Sequence, residues 1–275
     1  IDLTQIQEVS EKIGEALAKK DCYHVVVVRS TVVSGTTEEL VIPILERFSG
    51  KSVGVGFGVC MNPEFLREGQ AIEDFLLPKN IGIVIGEFDK RSGDILFELY
   101  KVFDAEIMRT SLRTAETVKY ARNSYLAKDV SFANEIANIC QKCGADYLAV
   151  KKGMEMDARI GRGRFLDAGA GFGGSCFPKD VRALVAKAVE IGVEPNLLKA
   201  TLEVNELQPL KLIELAKQTI GELKGKSVAV LGLAFKPGTD DMREAVSIKV
   251  VNTLLGEGAK VFAYDPQSLD NARII

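Results

Sequence analysis

One uninterrupted stretch constrains the fold of this 275-residue chain more than any other feature. Between residues 113 and 142 neither glycine nor proline occurs, and that length of chain predicts an α-helix of about eight turns. Further helices are predicted from residue 146, over 178–191 and over 195–220, with a glycine-rich stretch at 161–174 between them. The middle third of the chain is therefore predicted to be entirely helical.

Strands and helices alternate on both sides of this middle third. Before it, we predict helices at 4–20, 35–48 and 90–102, strands at 23–28, 52–60, 80–85 and 106–109, and a loop with a short helix over 62–75. After it, we predict a strand at 228–231, a helix at 244–255 and a strand at 260–264. This alternation is typical of a parallel, doubly wound sheet.

The predicted fold class is α/β, with two Rossmann-like doubly wound parallel-sheet domains joined by an all-helical central domain that contains the long helix. We predict domain boundaries at 1–111, 112–221 and 222–275. Both outer domains are expected to be incomplete, because the first opens on a helix and the last stops after its second strand.

Composition argues against several classes of protein. Hydrophobic residues make up 47% and charged residues 27%, which is ordinary for a globular protein, and the net charge is −3. Without a basic block we predict no nucleic-acid partner and no membrane-surface role. No apolar run approaches the ~20 residues of a membrane span, and no signal peptide is predicted.

The five cysteines favour a reducing, cytoplasmic setting, because their number is odd and they lack framework spacing. Cys140 and Cys143 would need a second pair to bind zinc, so we interpret them as core thiols and predict no metal site. The only histidine, His24, falls inside the first predicted strand and is expected to be structural. Without a catalytic histidine, any chemistry has to rest on Cys, Lys, Asp, Glu, Asn or Thr.

Cys176 is the most informative residue for chemistry. It lies in Gly171-Phe-Gly-Gly-Ser-Cys-Phe-Pro-Lys-Asp180, where glycines let the backbone approach a ligand closely. Pro178 is a natural first helical residue, so Cys176 is predicted at a helix entrance, where a negative charge is favoured. The sequence predicts a nucleophilic thiolate in a glycine-rich pocket, and a small buried residue at a turn is an equal alternative.

Two further pairs of side chains have helical spacing. Lys119 and Asn123 are four residues apart on the long helix and share a face, although a solvated lysine beside a helix asparagine is the commoner outcome. Glu64 and Glu68, in Asn62-Pro-Glu-Phe-Leu-Arg-Glu-Gly69, have the same spacing after a strand. Their two carboxylates are predicted to face one site, since the ends of strands hold ligands in open α/β sheets.

Two loops that follow strands give weaker signals. Arg29-Ser30-Thr31 follows the first strand, and either hydroxyl could serve a ligand or cap a helix. Gly232-Leu-Ala-Phe-Lys-Pro-Gly238 lies between a strand and a helix but lacks the dinucleotide glycine spacing. Asp265, after the next strand, could meet a ribose or serve in a turn.

Taken in order, these segments resemble the nucleotide-sugar 6-dehydrogenases, the UDP-glucose and GDP-mannose dehydrogenase family. The resemblance covers essentially the whole chain, and its cysteine motif is highly specific. Glu68-Gly69 and the stretch from Phe165 to Gly169 look closer to the UDP-glucose branch. The motifs that carry the resemblance are Arg29-Ser-Thr-Val, Asn62-Pro-Glu-Phe-Leu-Arg-Glu, Lys119-x-x-x-Asn123, the cysteine motif, Gly232-Leu-Ala-Phe-Lys and Arg243-Glu244.

The resemblance implies a four-electron oxidation of a sugar C6 alcohol to a carboxylate with two NAD, through a cysteine thiohemiacetal and a thioester. It implies that Cys176 is the nucleophile and that Lys119 and Asn123 stabilise the oxyanion. Asp180 and Thr31 would serve the water and proton steps. Glu64 would act in hydrolysis or as a base near C6.

The resemblance also implies binding residues and an assembly. NAD would contact Ser30, Thr31, Glu68 and Arg243, and a homodimer would form around the long helix. The nucleotide sugar would contact Glu64, Phe65, Leu66, Arg67, Glu68, Lys119, Asn123, Arg159, Phe165, Asp167, Ala168, Gly169, Ala170, Gly171, Phe172, Gly173, Phe235 and Lys236.

One departure from the family leaves alternatives open. Nothing in the sequence matches the Gly-x-Gly-x-x-Gly turn that binds the pyrophosphate, so the segment is expected to lack most of the NAD phosphate site. UDP-glucose is the predicted substrate, with GDP-mannose or another nucleotide sugar as the alternative. A non-catalytic dimeric core and a cysteine acyl-transfer enzyme without NAD are hypotheses from other classes.

Overall fold

A computed structural model of the chain describes residues 2–160 and 165–275. Residues 161–164, which begin the predicted glycine-rich stretch, lie outside the described residues. The chain separates into two compact units, Ile1–Ala121 and Arg122–Ile275, and each forms its own hydrophobic clusters.

The first unit is built on a four-stranded sheet in the order β1-β2-β3-β4. Its strands are β1 (Val25–Val28), β2 (Gly58–Met61), β3 (Ile83–Glu87) and β4 (Ile107–Ser111). Its helices are α1 (Thr4–Ala18), α2 (Ile42–Ser49), α3 (Ala71–Leu76), α4 (Lys90–Tyr100) and the beginning of α5 (Leu112–Cys143). A π-helical turn, Thr37–Val41, leads into α2, and a 3-10 turn, Pro78–Asn80, follows α3.

Both faces of this sheet are covered, as expected of a doubly wound fold. Side chains alternate along a strand, so Val26 and Val28 belong to one cluster while Val25 and Val27 pack against the other. The first cluster includes α1, α2 and the start of α5 through Leu17, Leu45 and Leu112 and their neighbours. The second cluster includes α4. The α/β class predicted from the alternating elements is confirmed.

One strand pair differs from the predicted parallel sheet. β1 pairs with β2 and β3 with β4 in parallel, whereas β2 and β3 are antiparallel over Cys60↔Glu87 and Met61↔Gly86. The connection over 62–82 contains only α3 and a 3-10 turn, so no helix of crossover length carries the chain across the sheet. The connection therefore begins and ends at one edge, beside the carboxyl ends of β1 and β2.

The prediction that His24 lies inside the first strand is wrong. β1 begins at Val25, and His24 precedes the strand with an exposed side chain. Only its backbone takes part in the sheet, where the His24 carbonyl accepts a hydrogen bond of 2.8 Å from the Gly58 amide. The strand starts two residues later than predicted, because parallel pairing with β2 begins at Val25↔Gly58.

The second unit contains the remainder of α5 and a second, smaller α/β part. Its other elements are α6 (Tyr147–Glu155), α7 (Phe177–Glu190), α8 (Asn196–Ile220), β5 (Ser227–Leu231), α9 (Val246–Gly256), β6 (Lys260–Tyr264) and α10 (Leu269–Ala272). β5 and β6 pair in parallel, as predicted. The long helix extends one residue beyond the predicted range at each end.

Within the second unit, α5 buries several polar side chains and exposes three large apolar ones. Asn123, Ser131 and Asn134 are buried, whereas Tyr125, Phe132 and Ile139 are 51%, 44% and 54% exposed. The three exposed residues recur every seventh position, which places them along one side of a helix. Over the described ranges, no helix combines the length and hydropathy that a membrane span requires.

Asp265 anchors the loop that follows β5. Its carboxylate accepts hydrogen bonds from the amides of Leu233 (2.7 Å), Ala234 (3.2 Å), Gln267 (2.8 Å) and Ser268 (3.0 Å). These backbone donors hold the pKa of the Asp265 carboxyl far below its usual range. The sequence left open whether Asp265 meets a ribose or serves in a turn, and this geometry supports the turn.

We predict that Asp265→Asn destabilises the chain by about 1.5–3 kcal/mol at neutral pH, because a charged acceptor is lost. Since the folded-state pKa is lowered, this stabilisation is present above the ordinary Asp pKa of about 3.9 and is lost as the pH falls below it. Urea unfolding at several pH values measures the difference. Asp270→Asn, at a 94% exposed side chain on α10, is the control, and equal losses in both variants would contradict the prediction.

Candidate active site

Lys119 lies almost entirely buried in the first unit, against the loop that follows β2. Its side chain is 5% exposed, and Nζ donates to the Glu64 carbonyl oxygen at 2.6 Å and to Glu64 Oε1 at 3.1 Å. The same ammonium lies 5.5 Å from the centre of the Phe65 ring. The alternative of a solvated Lys119 is therefore excluded.

The loop that carries Glu64 is fixed at its first residue. The Asn62 amide group donates to the Val84 carbonyl at 2.8 Å and accepts from the Tyr100 hydroxyl at 2.7 Å, and its backbone N–H donates to Val28. The segment after Asn62 is not helical, so the predicted sharing of one face by Glu64 and Glu68 is wrong. Glu64 is half-buried, Glu68 is exposed, and α3 begins only at residue 71.

The turn after β1 presents the two predicted hydroxyls at the carboxyl end of the strand. Ser30 is exposed and Thr31 is half-buried. The predicted helix from residue 35 begins instead as the π-helical turn at Thr37, and Glu116 of α5 accepts hydrogen bonds from the Gly35 and Thr37 amides. These residues lie at the sheet edge where doubly wound folds bind their ligands.

In the second unit, Cys176 occupies the N-cap of α7 with an exposed side chain. The helix begins at Phe177, so Pro178 is its second residue rather than its first. The Ser175 hydroxyl lies 3.7 Å from Cys176 Sγ. The prediction of a cysteine at a helix entrance is thus confirmed in the structure. Because the Cys176 side chain is exposed, the alternative of a small buried residue at a turn is wrong.

Asp180 and Asn123 form a buried pair behind the cysteine turn. Asn123 Nδ2 donates to Asp180 Oδ2 at 2.6 Å, and Asp180 is only 1% exposed. Lys179 forms an ion pair with the other carboxylate oxygen. The Asp180 amide donates to the Cys176 carbonyl at 2.8 Å, so the carboxylate lies in the first turn of α7.

The glycine loop before Cys176 packs closely against the segment before α9. A Cβ atom at Gly173 would lie 2.2 Å from the Glu244 carbonyl oxygen, and one at Gly174 would lie 2.6 Å from the Phe235 ring. The Gly174 amide also donates to the Arg243 carbonyl at 3.0 Å. Only glycine permits this approach at both positions.

Side chains that the sequence reasoning missed hold the backbone of the same loop. Asn134 accepts from the Gly169 amide at 2.7 Å, and Gln208 donates to the Gly169 carbonyl at 2.8 Å. Asn205 exchanges two hydrogen bonds with the backbone of Phe172, at 2.7 and 2.9 Å. The available signal was the recurrence of polar residues at helical spacing on α5 and α8, which resembles a solvated face.

Three arginines predicted to contact ligands are each bound by a nearby carboxylate. Arg67 pairs with Asp74, Arg159 with Asp157 and Arg243 with Asp241, at 2.6, 2.6 and 2.7 Å respectively. All three guanidinium groups remain largely exposed.

The other predicted substrate residues fall into exposed and packed groups. Leu66, Phe165, Asp167, Ala168 and Gly169 are exposed, and Asp167 pairs with Lys151. Ala170, Gly171 and Phe235 are half-buried, Phe172 and Gly173 are buried, and Lys236 lies 5.4 Å from the centre of the Phe235 ring.

The structure brings predicted site residues together within each unit. In the first, Lys119 meets Glu64 and Phe65. In the second, Asn123 meets Asp180 beside Cys176, and the glycine loop meets Phe235 and Arg243.

Among residues 2–160 and 165–275, no cluster of three His, Cys, Asp or Glu side chains could hold a metal ion.

Three domains of one protein family match successive parts of the chain. Residues 1–104 match the NAD binding domain of the UDP-glucose/GDP-mannose dehydrogenase family. Residues 113–207 match its central domain, and residues 229–275 match its UDP binding domain.

Characterised relatives and a solved structure show the same similarity. The chain is 45% identical over 278 residues to the UDP-glucose 6-dehydrogenase AglM of Haloferax volcanii, with 99% of this chain and 64% of the relative covered. It is 42% identical to the GDP-mannose 6-dehydrogenase of Pseudomonas syringae, covering 100% and 61%. A UDP-glucose dehydrogenase structure from Pyrobaculum islandicum matches with a TM-score of 0.94 at 43% identity, covering 100% and 62%. The chain spans less than two thirds of the length of these proteins.

We predict that Gly173→Ala destabilises the second unit by about 1–3 kcal/mol, because the added methyl group would overlap a backbone oxygen. Gly169→Ala is the matched control, since a Cβ there meets nothing within 4 Å and neither glycine has a positive φ. Its effect should stay within about 0.5 kcal/mol. Urea unfolding compares the two, and similar free energies of unfolding would show that the close approach at Gly173 is not present in solution.

Proposed function

The chain belongs to the UDP-glucose/GDP-mannose dehydrogenase family, and we propose that the whole protein oxidises C6 of a nucleotide sugar from alcohol to carboxylate with NAD. The observation that carries this proposal is the exposed Cys176 thiol at the N-cap of α7, with the buried Asp180–Asn123 pair in the next turn. A nucleophile, a carboxylate and amide donors are the groups that oxidation through a thioester requires.

NAD is the proposed cofactor, and the residues at the end of β1 fit part of it. Ser30 and Thr31 offer hydroxyl groups at the carboxyl edge of the parallel β1–β2 pair, where dinucleotides bind in doubly wound sheets. Glu68 and Arg243 are the other proposed NAD contacts, and both have exposed side chains. Bound NAD would supply the oxidising chemistry by accepting one hydride in each of two successive oxidations.

Cys176 carries the proposed covalent chemistry. Its thiol adds to the C6 aldehyde and forms a carbon–sulfur bond in a thiohemiacetal, which the second oxidation converts to a thioester. Water then cleaves that bond, which releases the carboxylate product and restores the thiol. The N-terminus of α7 would favour the negative charge that develops on the C6 oxygen.

The other proposed catalytic residues have separate roles. Lys119 and Asn123 stabilise the oxygen anion that develops at C6. Asp180, held by Asn123 at 2.6 Å, accepts a proton from the attacking water, which Thr31 positions. Glu64, bound to Lys119 at 3.1 Å, serves as the base for the alcohol or the hydrolysis step.

UDP-glucose is the proposed substrate and UDP-glucuronate the proposed product. The match of residues 229–275 to a UDP binding domain supports the nucleotide, and the proposed sugar contacts run over 165–173 with Phe235 and Lys236. GDP-mannose is the second candidate, because GDP-mannose 6-dehydrogenases are among the relatives.

A reducing, cytoplasmic compartment is also proposed. All five cysteines are free thiols, which supports this setting.

We predict that the full-length protein forms two NADH for each UDP-glucose consumed and forms NADH more slowly with GDP-mannose, measured by NADH absorbance. Cys176→Ala should abolish the yield of two NADH per sugar, because without the thiol no thiohemiacetal forms and the second oxidation cannot follow. Cys143→Ala, which removes another exposed thiol, should retain the wild-type rate.

Three results would contradict this function. Equal rates in the two variants would exclude the cysteine mechanism. Faster NADH formation with GDP-mannose would assign the other substrate. An intact dimer that binds no NAD would support the non-catalytic core.

A homodimer through α5 is also proposed. Tyr125, Phe132 and Ile139 form an exposed apolar stripe along 15 positions of a helix whose opposite side is buried. A second copy of the same helix would cover this stripe, because a two-fold interface places one surface against itself. Large contiguous apolar surfaces on a protein mark interaction sites.

We predict that Phe132→Asp raises the dimer dissociation constant by about 100-fold, which corresponds to about 3 kcal/mol at a central apolar contact. Leu148→Asp, at a 72% exposed residue on α6, is the control and should leave the dimer intact. Light scattering over a concentration series measures both. A monomeric wild type, or a Phe132→Asp variant that remains dimeric, would contradict the proposal.

A further inference from the structure

Glu116 is a fully buried carboxylate for which the proposed chemistry has no use. It lies on the first turns of α5 with none of its surface exposed. Burial raises the pKa of its carboxyl group, so an acid at this place has a free-energy cost that other interactions must offset. The interactions that offset it all come from one turn of the chain.

That turn follows β1. Glu116 Oε2 accepts from the Gly35 amide at 2.6 Å, and Oε1 accepts from the Thr37 amide at 2.8 Å and the Thr37 hydroxyl at 2.6 Å. The helix that starts at Thr37 has no side-chain cap of its own from Thr36. Glu116 therefore caps that helix from a distant part of the sequence, with a carboxylate at the positive end of the helix.

The capped turn leaves little freedom to the residues before it. The Thr36 amide and hydroxyl both bond to the Val33 carbonyl, at 3.0 and 2.7 Å, and Val32 is only 3% exposed. Thr31 and its neighbour Ser30 thus lie between the end of β1 and a closed, buried turn. Their positions depend on where Glu116 holds that turn.

We infer that Glu116 is a positioning residue that sets the place of Ser30 and Thr31 through the turn at Gly35–Thr37. The inference rests on the proposed function for its catalytic consequence, because Ser30 and Thr31 are the proposed NAD contacts. Its structural part does not depend on that function. Removing the carboxylate should loosen the segment from residue 30 to residue 37 and weaken NAD binding while the nucleotide-sugar contacts stay in place.

The test uses Glu116→Gln in the full-length protein, because glutamine keeps the shape but offers one acceptor oxygen in place of two. Hydrogen exchange of the 29–37 peptide should accelerate by about tenfold or more. The KM for NAD should rise by about fivefold or more, while the KM for UDP-glucose changes by less than about twofold. A purely structural defect would raise both KM values together.

Two further variants sharpen the result. Arg113→Met is the matched control, because Arg113 bonds Glu38 and Glu39, just after that segment, from the exposed side of α5. It should leave the KM for NAD and the exchange of 29–37 unchanged. Thr37→Val removes one of the three bonds and should shift both readouts in the same direction by a smaller factor, and it carries the test if Glu116→Gln does not fold.

Unchanged exchange of 29–37 in Glu116→Gln and Thr37→Val would overturn the inference. Accelerated exchange with an unchanged KM for NAD would overturn its catalytic part. If exchange accelerates in the variants but the wild-type protein forms no NADH, the positioning role is supported and only the proposed function is contradicted.

Discussion

Hydrogen bonds between buried side chains of α5 and the backbone of irregular loops are the interactions on which the rest of the structure depends. In the first unit, Glu116 holds the turn after β1 and Lys119 holds the Glu64 loop. In the second, Asn134 holds the Gly169 amide of the glycine loop. A buried polar group left without its partner costs about 1–3 kcal/mol, so each loop is tied to its helix.

This arrangement explains how loops without regular secondary structure can hold the residues of the candidate site in place. The Glu64 loop and the glycine loop before Cys176 have no strand ladder to fix them. Their backbone is held by side chains from helices, and glycines at 173 and 174 permit close packing against the 235–244 segment. A rigid helix with polar side chains thus supplies the order that the loops lack, which is what a precisely placed site needs.

The sequence predicted the alternation of strands and helices, the limits of α5 and the place of Cys176, because these follow from local periodicity and turn residues. It could not show which side of α5 is buried. Polar residues at helical spacing resemble a solvated face, and only tertiary packing buries Asn123 and Asn134 while exposing Phe132. The antiparallel β2–β3 pair and the extended Glu64 loop also depend on contacts distant in sequence.

Amide hydrogen exchange of the wild-type chain, resolved by residue, tests this account most directly. Gly35, Thr37, Gly169 and Phe172 lie outside the strands, yet their amides donate to side chains of Glu116, Asn134 or Asn205. The account predicts that these amides exchange as slowly as those inside β1. Exchange as fast as that of the Leu66 amide, whose acceptor is the half-buried Glu64 carboxylate, would contradict it.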